Sequence, residues 1–172
     1  MAETNLRTYT VQEKLNKMDV DLIDVTLTTV AAAIADNEVI SQSIEIPYAV
    51  PVNGGSAIIQ SIMLLDEDDE GPIVELLFSQ VNTAITNAAS EAIGNSVADL
   101  DATFRSFLGK ATVSDWTNLI DAQMAVKTNV GLLVKAASDT RSIYVHCINR
   151  SGANYTPAAT TDLKMRIGIV KD

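Results

Sequence analysis

Between positions 56 and 80 the chain reads SAIIQSIMLLDEDDEGPIVELLFSQ, two apolar runs, 57–65 and 73–78, on either side of five consecutive acidic residues. Each run has the length and the Ile, Leu and Val content of a buried strand and is too short for a typical helix. The acidic residues 66–70 repel one another, so the sequence predicts that they stay in water while the chain reverses at Gly71-Pro72. The expected element is a β-hairpin or a longer connection between two core strands. Upstream, Val25 and Leu27 alternate with Thr26 and Thr28, the period-two pattern of a half-buried strand. Residues 30–38, VAAAIADNE, fit a short helix or a loop. Ile44, Ile46, Tyr48 and Val50 alternate again, and Pro47, which lacks a backbone donor, puts this strand at an edge or a bulge. Asn53-Gly54-Gly55 supplies a tight reversal into the acidic-tipped segment.

Downstream, the small polar residues of 80–95 read as a long surface loop. Ser96 can cap a helix over 97–108, with Val97, Leu100, Phe104, Phe107 and Leu108 on one face and Gly109 ending it. That helix would cover an open edge or end of the β core. Period two then returns in 111–116, in Val126, Thr128, Val130, Leu132 and Val134, and in 142–149. Residues 136–141 form a turn and 150–161 a polar loop. The last strand sets Leu163, Met165, Ile167 and Ile169 inward against Lys164, Arg166 and Gly168 outward. Short strands, turn signals between them and no βαβ rhythm predict a mainly β fold, an antiparallel β-sandwich or jelly roll with one short covering helix. Residues 1–22 are polar with scattered Leu6, Tyr9, Val11, Leu15 and Met18. They read as an N-terminal arm ordered against a neighbour or packed on its own domain, ahead of a single domain over 23–172.

Composition narrows the function more than the fold. With 172 residues, a net charge of −10 and a pI near 4.4, the chain is one domain and a poor polyanion binder. No nucleic-acid partner is expected, because phosphate contacts need clustered Lys and Arg. No stretch approaches the apolar length of a membrane span, and the N-terminus lacks the apolar core of a secretory signal. No membrane partner is expected either, and synthesis is placed in the cytoplasm.

Candidate chemistry is sparse. Asp66, Asp68, Glu70 and Gly71 follow the opening of a calcium loop, but the twelfth position is Leu77 where a bidentate carboxylate belongs, so an EF-hand is excluded. A solvated turn is the expectation, with no metal and no other cofactor. His146 is the sole histidine, without a nucleophile motif, and reads as a hydrogen-bonded sheet residue. The sole cysteine, Cys147, shares a face with Ile143 and Val145 and reads as a small buried apolar residue. Trp116 beside Asp115 is either a sugar-stacking platform or a core or interface residue. No catalytic residue is assigned, and the chain is not expected to be an enzyme.

The blocks ADNEVISQSIEIPYAV, NGGSAIIQSIMLLDEDDEGPIVELLFSQ and KTNVGLLVKAASDTRSIYVHCINRSGANYTPAATTDLKMRIGIV carry a resemblance over residues 24–170. They look like a family of small virion structural proteins of tailed bacteriophages. The resemblance implies a β-sandwich of the particle, a capsid decoration (cement) protein on the outside of the head. Its implied partners are the major capsid protein and copies of itself, as a trimer. Nothing transfers onto residues 1–22. For these the expectation is physical: Leu6, Tyr9, Val11 and Leu15 bind the capsid or an adjacent protomer, by strand pairing if the arm is extended. The alternatives are a tail, neck or baseplate protein, or a glycan- or receptor-binding module.

Overall fold

Apolar side chains that recur every second residue must face one way when the backbone is extended, and two such faces bury each other. The structure, a computed structural model, describes residues 19–82, 88–92 and 104–171. Its strands are β1 (Asp19–Thr26), β2 (Val39–Ile46), β3 (Ser56–Asp66), β4 (Val74–Ser79), β5 (Phe107–Val113), β6 (Trp116–Asn118), β7 (Gln123–Lys135), β8 (Ile143–Asn149) and β9 (Leu163–Lys171). They form two antiparallel sheets, β1-β9-β3-β7-β6 and β2-β8-β4-β5. The protein is an antiparallel β-sandwich. Its core is Ile59, Ile62, Leu64, Ile167 and Ile169 from the larger sheet against Leu76, Phe78, Ile143, Val145 and Cys147 from the smaller.

The pairings nest. β1 pairs with β9, β2 with β8, β3 with β7, and β4 with β5. The acidic-tipped segment is therefore the longer of its two expected connections: β3 lies in the middle of one sheet and β4 in the middle of the other. β2 is an edge strand, one of the two places expected from Pro47, and it stops at Ile46, one residue before that proline. Tyr48, expected to continue the alternation, turns out into solvent at φ 53°.

Three expectations need correction. First, the helix over 97–108 does not extend to its expected end. Residues 97–103 lie outside the described residues, Phe104–Ser106 is a 3₁₀ turn, and Phe107 and Leu108 begin β5. Gly109, expected to stop the helix, sits mid-strand opposite Phe78. A Cβ there would lie 2.6 Å from Leu132 Cδ1, so the glycine lets β5 approach β7. The open edge of β4 is covered by a strand, whose ladder hydrogen bonds outweigh the helical spacing of the two phenylalanines. Second, Val126 faces out. In β7 the inward positions are Val134, Leu132 and Val130, then Ala125. The phase changes where β3 and β7 shift register between Ile59 and Ser61, opposite Asn129 and Gly131 at φ 56° and 63°. Third, β1 starts at Asp19, so residues 19–22 belong to the sheet. Residues 1–18 lie outside the described residues.

Candidate interaction surface

The acidic turn was expected to stand in water, yet its first residue is completely buried. Asp66 ends β3 facing inward, and the chain folds back around its carboxylate. The backbone N–H groups of Asp68, Glu70 and Gly71 donate to it at 3.3, 3.0 and 2.7 Å. The buried Tyr155 hydroxyl donates to Oδ1 at 3.2 Å. Burial, with the Asp66 charge beside it, pushes the Tyr155 phenol well above its ordinary range. Repulsion along 66–70 is thus relieved by backbone dipoles as well as by water.

The neighbouring carboxylates look elsewhere. Asp68 accepts from the Ala158 N–H at 3.0 Å and Glu70 from the Thr156 N–H at 2.5 Å, stapling the turn to the loop after β8. With their oxygens committed to separate donors, these side chains do not converge. Among the described residues, no group of three or more His, Cys, Asp or Glu side chains is placed to hold a metal ion.

Trp116 and Gln123 brace the same turn. The Trp116 indole N–H donates to Pro72 O at 2.8 Å, and Gln123 Nε2 donates to Asp69 O at 2.8 Å. A Cβ on Gly71, at φ 59°, would meet Gln123 Oε1 at 2.3 Å. Trp116 is half-buried, with its one polar atom spent inside the protein.

His146 lies on β8 opposite Leu77 of β4 and is buried. Ser79 Oγ donates to Val81 O at 2.7 Å, so it accepts from His146 Nε2–H at 3.2 Å. That leaves Nδ1 unprotonated, and it has no hydrogen-bond partner among the described residues. Only half of the expected satisfaction is met. Burial lowers the imidazole pKa to about 4. Cys147, on the other face of β8, is fully buried, and desolvation raises its thiol far above the reactive range. Glu75 is another buried carboxylate on this sheet: desolvation pushes its pKa up, but hydrogen bonds from Lys110 at 2.6 Å and Arg150 at 3.0 Å prevail and hold it below the usual value.

The outer face of the five-stranded sheet is different in character. The register aligns Val20 with Val170, Val170 with Ile58, and Ile58 with Leu133. These four side chains form one apolar row across β1, β9, β3 and β7. Val20 is 64% exposed and Leu133 66%. The row spans about 14 Å at the usual strand spacing. Further along, Asp24 and Arg166 pair at 2.6 Å beside the half-buried Met63 and Leu65. The row was hidden from sequence reading because it takes one outward residue from each of four distant segments. Each strand alone reads as ordinary alternation.

The arm residues Leu6, Tyr9, Val11 and Leu15 lie outside the described residues. No described helix is long and apolar enough to cross a membrane.

No protein-family model matches the chain. No curated protein matches it either. Among solved structures, it is similar to a chain titled Desmodium yellow mottle tymovirus, at 12% identity and a TM-score of 0.28, covering 90% of this chain and 81% of that one.

Proposed function

We propose that this protein is a structural component of a virus particle, a capsid decoration protein of the tailed-bacteriophage kind that binds the outside of the head and reinforces the shell. The observation that carries the reading is the outward row Val20, Val170, Ile58 and Leu133, an apolar patch on a sheet in which Val20, Ile58 and Leu133 are exposed. Such a patch is stable in water only at a cost, and association removes it. The nested strand pairing supports a jelly roll, an arrangement common in viral capsid and lectin domains. The resemblance over residues 24–170 points to the particle, and the net charge of −10 suits a position away from packaged DNA. The partners in this reading are the major capsid protein and further copies of the chain, as a trimer.

Copy number tests it. Densitometry of purified particles against the major capsid protein should give hundreds of copies. A handful per particle would move the protein to the tail, neck or baseplate. Because β1 begins at Asp19, the deletion that tests the arm is 1–18. Full occupancy of particles by that variant would dismiss a binding role for Leu6, Tyr9, Val11 and Leu15.

A further inference from the structure

β1 is the outermost strand of the five-stranded sheet, and among the described residues no strand pairs with its far side. The phase of that open edge follows from the pairing on the other side. The Leu27 N–H donates to Leu163 O at 3.0 Å, and the β1–β9 register runs on from there without a shift. Hydrogen bonding alternates along an antiparallel pair, so the odd-numbered residues 19–25 direct N–H and C=O toward β9. The even-numbered Val20, Leu22, Asp24 and Thr26 direct theirs off the sheet, a template for one more strand. β2, an edge of the smaller sheet, is instead closed in part by residues 90–91, through Val39 N–H to Glu91 O at 2.9 Å and Ser90 N–H to Val39 O at 2.8 Å.

Residues 1–18 end where the open edge begins, at Asp19. A partner strand as long as β1 plus a tight loop uses about 10–12 residues, so the segment is long enough to fold back. A two-residue loop needs a hydrogen-bonded pair at its flanks, and the edge of β1 offers hydrogen bonds only at even numbers. That phase puts the flank at Met18 and the loop at Asn16-Lys17. Asparagine tolerates the left-handed backbone with which such a loop begins. Glu13 would then face Val20, Val11 would face Leu22 and Tyr9 would face Asp24. The run 8–11, Thr-Tyr-Thr-Val, is made of strand-forming types. Val11 would meet the side chain of Leu22, which is 65% exposed. Lys14 would lie opposite Asp19, because Lys171, across from Asp19 on β9, bonds Asp21 instead.

We propose that residues 7–15 of this chain add a strand to the open edge of its own β1, through a two-residue loop at Asn16-Lys17. The tether favours the chain's own segment over a separate partner, since it holds that segment near the edge at an effective concentration of about millimolar. The added strand closes a template for edge-to-edge aggregation. It also sets Val11 and Tyr9 on the outer face, next to the row that begins at Val20. This arrangement stands apart from the proposed function, and particles enter neither of its tests.

Hydrogen exchange reads the parity. In the full chain the amides of Val20, Leu22 and Asp24 should exchange at least about tenfold more slowly than in a chain lacking 1–18. Those of Ile23 and Val25, which face β9, should be protected in both. Even-numbered amides that exchange equally fast in the two chains overturn the proposal. A cross-link in the full chain reads the register and the chain of origin. Thr10→Cys with Ile23→Cys puts two thiols on a non-hydrogen-bonded pair, about 4.5 Å apart at Cα and within disulfide reach. Cys147 is fully buried and stays silent. Mild oxidation should give a disulfide within one chain, and Thr8→Cys with Ile23→Cys far less of it. No disulfide, equal yields from the two pairs, or a disulfide between chains, which would mean that copies exchange arms, each overturns the proposal.

Discussion

Asp66 and His146 are both polar, both titratable and both buried in one sandwich, but the chain treats them in opposite ways. Asp66 lies where a strand ends and the backbone turns, so three N–H groups freed from sheet pairing converge on its carboxylate, and Tyr155 closes the remaining side. His146 lies mid-strand, where neighbouring backbone groups are already committed to β4 and β2. It finds Ser79 for one nitrogen and no described partner for the other. A buried charge is tolerated where turning backbone offers unpaired donors, and a buried imidazole between two strands is kept neutral instead.

The largest effect should come from removing the better-satisfied group. Asp66→Ala leaves three N–H groups and a phenol without their acceptor and should cost about 3–5 kcal/mol, read by urea unfolding. A loss below about 1 kcal/mol would erase the contrast with His146.

The next effect depends on pH. The imidazole titrates near its usual 6.5 when the chain is unfolded and at about 4 when folded. Between those values the unfolded chain binds the extra proton, so stability falls as pH drops from about 6.5 to about 4 and this group adds no further loss below. The total is about 3 kcal/mol. It should appear as the difference in pH slope between wild type and His146→Leu, and equal slopes would show that the ring gains a partner when protonated.

A smaller change sharpens the comparison from the other side. Tyr155→Phe removes one of the donors to Asp66 and should cost about 1–2 kcal/mol. Smallest of all in stability is Leu133→Lys on the outer row, expected within about 0.5 kcal/mol of wild type. Under the proposed function the same variant should lose its place on particles, which copy number per particle would read directly.

The strand periodicity of residues 163–169 and the inward Cys147 were legible in the chain because each depends on local alternation, and Pro47 narrowed β2 to an edge or a bulge through one residue's backbone chemistry. Tertiary structure alone decided the rest. Phe107 and Leu108 joined a strand because β4 offered an edge, and Val126 turned outward because a bulge reset the phase. Asp66 went inside because the loop carrying Tyr155 came back to meet it across a sequence separation of 89. The row of Val20, Val170, Ile58 and Leu133 exists only once four segments are in register. Alternation specifies which way a side chain faces along its own strand. Which strand lies beside it, and so what surface the two make together, is set by long-range pairing that no local pattern encodes.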